Sequence, residues 1–249
     1  MKNAVLLLSS GLDSAANLAL SFDDSGSENF KVSLALTINY GQKGALRELE
    51  QAEKIARHFQ IEHLVFDLRQ FTNLIGKTSA LMGTSSVPQL DQAGLDDSLI
   101  TKKSAAAVWV PNRNAVLLSL AAALAEARGL DAVAVGFNAE EAVTFADNSP
   151  AFMSALTHAF SFSTANQVQI VSHTAHMNKH QIVENLDSKK FPFELLWSCY
   201  EASSFHCGRC ESCQRLKRAV QSGIKDPARR AHIQSALFGG VAANAESRT

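Results

Sequence analysis

The first apolar run sets the strongest limit on how this chain can fold. Ala4 to Leu8 is short and wholly apolar, so it reads as a strand covered on both faces. It ends in Ser9-Ser10-Gly11-Leu12-Asp13-Ser14 and passes directly into residues 14 to 20, which are small and apolar enough for a buried helix. A buried strand followed at once by a helix belongs to a parallel sheet, because the chain must cross back before the next strand. The alternation continues. Strands are predicted over Lys31 to Ile38, Leu64 to Leu68, Asp131 to Val135 and near 168 to 171. Helices are predicted over 45 to 59, 115 to 128 and near 150 to 163; the first carries Leu46, Leu49, Ala52, Ile55, Ala56 and Phe59 at helical spacing. The expected fold is α/β, an open parallel sheet with helices on both faces. Residues 83 to 104 lack periodicity and are rich in Gly, Ser, Asp and Gln, which predicts a lid or a disordered loop.

The serine-rich turn has little side-chain bulk and sits at a helix N-terminus, where backbone N–H groups attract anions. On those residues alone a plain strand-to-helix turn is the competing reading. Other nucleotide motifs are missing. Gly76-Lys77-Thr78 cannot close a Walker A loop, since Phe71 stands where that motif needs glycine. No G-x-G-x-x-G follows the first strand.

All four cysteines fall within "CYEASSFHCGRCESC": Cys199, Cys207, Cys210 and Cys213. The spacing suits tetrahedral Zn²⁺ in a closed structural site, with His206 as a neighbour. Iron–sulfur ligation and metal-free redox cysteines are the competing readings. Two disulfides fit poorly with the expected compartment. Met1-Lys2-Asn3 leads straight into a strand, no signal cleavage site follows, and no apolar run approaches the ~20 residues of a membrane span. The chain is therefore expected to be cytoplasmic, where thiols stay reduced. A net charge of -1, from 23 basic and 24 acidic residues, argues against bulk nucleic-acid coating. A basic segment, Arg215, Lys217, Arg218, Lys225, Arg229 and Arg230, keeps tRNA binding open. The pattern change near 190 is expected to divide the chain into an α/β domain (1–190), a zinc-binding lobe (191–240) and a flexible tail (241–249).

Residues 9 to 14 resemble the S-G-G-x-D-S pyrophosphate loop of the ATP pyrophosphatase superfamily, with Ser10 at the first glycine. Further stretches are similar to the 7-cyano-7-deazaguanine synthases, the QueC family. These are "NYGQK" (Asn39 to Lys43), "VPNRN" (Val110 to Asn114) and "MNKHQI" (Met177 to Ile182), with the cysteine segment Ser198 to Ala219. The resemblance runs in order from 4 to 222. It departs in "GFNAEEAVTFADNSPAF" (136 to 152), where Asp147-Asn148-Ser149 replaces D-C-R and a basic group is lost.

The resemblance implies conversion of 7-carboxy-7-deazaguanine, ammonia and ATP with Mg²⁺ to the 7-cyano compound by a homodimer, while charge and hydropathy argue against nucleic-acid and membrane partners. Asp13, Lys179 and Arg113 become the catalytic candidates. Leu8, Ser9, Ser10, Gly11, Leu12, Asp13, Ser14 and Tyr40 are the nucleotide candidates. Gln42, Asn114, Phe137, Glu140, Glu141 and Asp147 are the substrate candidates, and the four cysteines the metal ligands. The sequence alone predicts that Asp13→Ala and Lys179→Ala abolish turnover while leaving metal content and melting temperature nearly unchanged. Rival readings are a tRNA-modifying enzyme that activates a base oxygen, a non-enzymatic zinc module, and a relative that hands the deazaguanine group to another acceptor.

Overall fold

A computed structural model describes residues 1–23, 29–83 and 85–239. The expected tail, 241–249, lies outside the described residues. Among the described residues, five strands form one all-parallel sheet: β1 (Lys2–Leu7), β2 (Phe30–Asn39), β3 (Glu62–Asp67), β4 (Ala132–Ala134) and β5 (Gln169–Val171), in the order β3-β2-β1-β4-β5. The helices among the described residues are α1 (Leu12–Ser21), α2 (Ala45–His58), α3 (Arg69–Ile75), α4 (Ser98–Val108), α5 (Arg113–Ala127), α6 (Ala139–Thr144), α7 (Pro150–Ser163), α8 (Lys179–Ser188), α9 (Glu211–Gly223) and α10 (Pro227–Phe238). The chain lays β1, β2 and β3 toward one edge, then returns to place β4 on the other side of β1. Strand order therefore reverses between β1 and β4, and a crevice opens there at their carboxyl ends.

Side-chain alternation assigns each face of the sheet. Ala4, Leu6 and Leu8 pack with α1, α2, α8, α9 and α10, while Val5, Val133 and Val135 pack with α5 and α7. β2 changes face partway along. Val32 pairs with Ala4 but Leu34 pairs with Val5, so Ser33 is an extra residue that flips the alternation. Val32 then joins the first face, and Leu34, Leu36 and Ile38 join the second. The cysteine-bearing segment shares this core, because Leu216, Ala219, Val220, Ile233 and Leu237 cluster with Leu6 and Ile182.

Two sequence expectations need correction. Residues 83 to 104 are not a loop throughout: α4 begins at Ser98, where the Asp97 carboxylate accepts from the N–H groups of Leu99 and Ile100. The stretch before it is tied to the cysteine lobe. Leu90 N–H donates to Arg209 O at 2.8 Å, Gln92 Nε2 to Gln214 O at 3.0 Å, and Arg218 clasps Asp96. Ala139-Glu140-Glu141 follow the fourth strand and are acidic enough for the sequence to suggest a loop, but they open α6, whose Asn138 cap accepts from Glu141 N–H. Among the described residues no single helix is long and apolar enough to cross a membrane; α4 and α5 pass that test only together and are bent by 53°.

Candidate functional site

A cleft of about 300 Å³ opens at the β1/β4 reversal. The serine-rich turn forms its floor. Ser9 N–H donates to Ser14 Oγ at 3.3 Å, and that hydroxyl donates to Gly11 O at 3.1 Å. Gly11 caps α1 without a side chain, so the first-turn N–H groups open toward the cleft. Leu8, Ser9, Gly11, Leu12, Asp13 and Ser14 all line it. Ser10 does not. It takes a left-handed φ of 58°, is fully buried, and accepts Trp197 N–H on its carbonyl at 2.9 Å.

Gly136, at the end of β4, lies against this floor. A Cβ there would stand 2.5 Å from Ser14 N and 2.8 Å from the carbonyl carbon of Asp13. Both are backbone atoms that cannot swing aside. Gly136→Ala should therefore displace the turn, costing about 1–3 kcal/mol in stability and roughly a hundredfold in turnover. Melting curves and steady-state kinetics check this; a variant with unaltered activity would show that the turn tolerates the shift.

Asp13 and Lys179 meet across the cleft. Lys179 Nζ lies 2.9 Å from Asp13 Oδ2 and 2.8 Å from Glu141 Oε1, and the lysine is only 8% exposed. An Asn178/Gln181 capping box starts α8 here, while Glu140 accepts Lys179 N–H at 2.8 Å. Glu140 thus anchors the helix and does not line the cleft. Burial raises the Asp13 carboxyl to about 6, with Lys179 pulling it down and Glu141 pushing it up. For Glu141, burial opposes ionisation, but Lys179 and then Arg215 outweigh it and hold the carboxyl below its ordinary value. Asp13 Oδ1 is buried with no hydrogen-bond partner among the described residues. This setting alters the stability expectation for both variants, since a lysine buried between two carboxylates cannot be removed without cost.

On the opposite wall, Arg113 donates to Asn114 Oδ1 at 3.2 Å and to the Tyr40 hydroxyl at 3.3 Å, and it packs over the Tyr40 ring. The turn before it requires Asn112 at a φ of 53°, a conformation asparagine accepts. Asn114 donates to Asp147 O at 3.3 Å, bringing the departing 136–152 stretch to the cleft. Ser149, in place of the arginine, caps α7 by accepting Phe152 N–H. Gln42 lines the cleft but its polar atoms are engaged by Tyr40 N–H and Glu48. Phe137 lines it too and is buried in the second core cluster.

Sequence reasoning did not single out several lining residues as site residues: Glu48, Trp109, Phe145, Ser198 and Arg215. Trp109 and Phe145 stack with rings 6° from parallel and centroids 6.3 Å apart. Arg215 pairs with Glu211 at 2.7 Å and with Glu140 at 3.6 Å. Periodicity gave no sign of these residues, although Trp109 adjoins the Val110–Asn114 motif and Ser198 and Arg215 lie within the cysteine segment.

The four cysteine sulfurs lie within 4.8 Å of one another, with Cys207 Sγ 3.8 Å from Cys213 Sγ. Backbone N–H groups of Glu201 and Cys207 point at Cys199 Sγ, and those of Arg209 and Cys210 at Cys207 Sγ, at 3.3 to 3.4 Å. Such donors favour thiolates, and thiolates that close suit one tetrahedral ion. His206 is not among them. Its Nε2 accepts Ser198 N–H and its Nδ1 faces Leu237 O, both at 3.0 Å, so neither nitrogen points at the sulfurs.

Together these features define an α/β protein with an anion-receptive loop at its topological switch point and a tetrathiolate site beside it. Residues 3–223 match the family described as "Queuosine biosynthesis protein QueC". The 7-cyano-7-deazaguanine synthase of Methanosarcina mazei is 44% identical over 228 residues, covering 90% of this chain and 96% of that one. Its counterpart in Desulforamulus reducens is 44% identical over 220 residues, covering 88% and 94%. Among solved structures, the U34-tRNA thiolase NcsA of Methanococcus maripaludis aligns with a TM-score of 0.48 and 13% identity over 93% of this chain and 70% of that one. That likeness is too remote to bear on the site. The chain belongs to the QueC family.

Proposed function

We infer that the chain is an ATP-dependent ligase that converts 7-carboxy-7-deazaguanine and ammonia to 7-cyano-7-deazaguanine. Family membership over nearly the whole chain carries this reading, and the cleft chemistry agrees with it. A carboxylate has no leaving group that ammonia can displace. Transfer of adenylate to its oxygen gives a mixed anhydride and releases pyrophosphate; ammonia then displaces AMP and leaves the amide. Repeating the activation on the amide oxygen, with loss of AMP and two protons, leaves the nitrile. Both activations need positioned charge around phosphate more than a protein nucleophile.

The residues present suit those demands. The Ser9–Ser14 turn would hold the phosphates, and Lys179 would neutralise charge that builds on them. The unpartnered Oδ1 of Asp13 is a hard oxygen ligand of the kind Mg²⁺ takes. Arg113 would orient the substrate carboxylate or phosphate, and Asp147 would accept from the guanine-like edge of the base. The single metal of the thiolate site is proposed to be zinc, with a structural role. Homodimer formation and a cytoplasmic setting belong to the same proposal. The basic segment is partly neutralised by neighbouring carboxylates, Arg218 by Asp96, Lys225 by Glu184 and Arg229 by Asp187, which favours the ligase over the tRNA-modifying alternative.

Mass spectrometry of a reaction with Mg-ATP, ammonium and 7-carboxy-7-deazaguanine tests the function. A nitrile product that disappears in Asp13→Ala is expected; amide accumulation, or no conversion by protein that binds ATP, would overturn it. A pH dependence follows from the same carboxylate. Asp13 must be ionised to hold a cation, so kcat/KM should fall as pH drops through about 6. Glu141 is a like charge that raises Asp13, so Glu141→Gln should move that acid limb to lower pH. A limb that stays in place in Glu141→Gln would mean another group controls it.

A further inference from the structure

We propose that Ser198, carried on the chain just before the first metal-ligating cysteine, is a phosphate-binding residue of the nucleotide site. This rests on the reading of the Ser9–Ser14 turn as a nucleotide loop. Ser198 lines the same cleft, and its hydroxyl oxygen lies 3.4 Å from Leu12 N, the first amide of α1. A methyl at Gly11 would meet both Ser9 Oγ, at 3.4 Å, and Ser198 Oγ, at 4.0 Å, so the two hydroxyls flank the same few ångströms of backbone. Ser9 Oγ in turn lies 3.3 Å from Ser14 Oγ. Three serine hydroxyls from two distant parts of the chain therefore ring one helix N-terminus. The buried, unpartnered Asp13 Oδ1 is an acceptor suited to the cation that accompanies a polyphosphate, a second sign that this end of α1 takes a ligand.

The position of Ser198 is fixed on both sides. Trp197 N–H donates to Ser10 O at 2.9 Å, tying the segment to the turn. Ser198 N–H donates to His206 Nε2 at 3.0 Å, which holds the residue with its hydroxyl facing Leu12 N–H. Cys199 follows at once and is 1% exposed among the other thiols. A phosphate oxygen arriving at Leu12 N–H would displace Ser198 Oγ as acceptor there. The hydroxyl would then turn its proton toward that oxygen, adding a charge-assisted donor. The metal-binding segment thus completes the phosphate site.

Isothermal titration of the full-length, metal-loaded protein with ATP, pyrophosphate and AMP tests the assignment. Ser198→Ala should weaken ATP and pyrophosphate about tenfold, change AMP little, and keep metal stoichiometry and melting temperature. Ser198→Thr, which keeps the hydroxyl, should bind all three as the unaltered protein does. Equal ATP and pyrophosphate affinity in Ser198→Ala would overturn the proposal, as would equal weakening in Ser198→Ala and Ser198→Thr. Failure of the unaltered protein to bind either ligand would instead overturn the nucleotide-loop reading beneath it.

Discussion

Lys179→Ala is expected to lower turnover by at least about a thousandfold and to destabilise the protein by about 3–5 kcal/mol. The two effects have one cause. Lys179 Nζ bridges Asp13 and Glu141 at 2.9 and 2.8 Å in a setting only 8% exposed. Removing it leaves two carboxylates facing each other where burial already raises Asp13 to about 6. One of them must take a proton or the site must open. The sign with pH follows: an acid with a raised native pKa binds protons more tightly folded than unfolded, so its burial costs more as pH rises. The stability gap between Lys179→Ala and the unaltered protein should therefore be smaller at pH 5 than at pH 8. Lys179→Met keeps much of the stem packing and should recover part of the stability but none of the turnover. Denaturant titrations at the two pH values and single-turnover assays separate these outcomes. Turnover within tenfold of normal in either variant would remove Lys179 from the catalytic set.

The sequence made the sheet legible because its signals are local. A fully apolar strand, a small-residue turn and a periodic helix each announce themselves within ten residues, and β1, α1, β2 and α2 fall close to where the pattern puts them. The cysteine cluster is legible for the same reason. Three kinds of feature were not. The Ser33 bulge leaves strand composition unchanged and shows only in pairing. The start of α4 depends on one capping aspartate amid polar residues whose tertiary partners lie more than a hundred positions away, such as Arg218 with Asp96. The site contributions of Ser198 and Arg215 exist only because the C-terminal helices pack into the same core as the sheet and bring the residues before and within them to the cleft. Ser10 was legible as a motif member and Glu140 as a substrate candidate after the fourth strand, yet the fold turns Ser10 into the core and makes Glu140 a helix anchor.

That shared core makes the proposed metal site the second large lever. Cys213→Ser should lower metal content well below one ion per chain and reduce the melting temperature by about 10 °C or more. Cys213 is wholly buried in the first turn of α9, and its neighbours Leu216, Ala219 and Val220 pack directly against the sheet's core. Four sulfurs within 4.8 Å of one another repel strongly once ionised, so without a cation some must hold protons and the arrangement must loosen. Loosening cannot stay local. Cys199 is one residue from Ser198 and two from Trp197, which hold Leu12 N–H and Ser10 O at the nucleotide turn. Zinc chelation under mild denaturant should therefore abolish ATP binding before the sheet unfolds, and returning zinc should restore it. Elemental analysis of the native protein should find zinc and no sulfide, since sulfurs this close leave no room for a multi-iron cluster between them. A metal-free protein that keeps its melting temperature and its ATP affinity would mean that the thiolate site and the nucleotide turn stand independently, despite the two residues that join them.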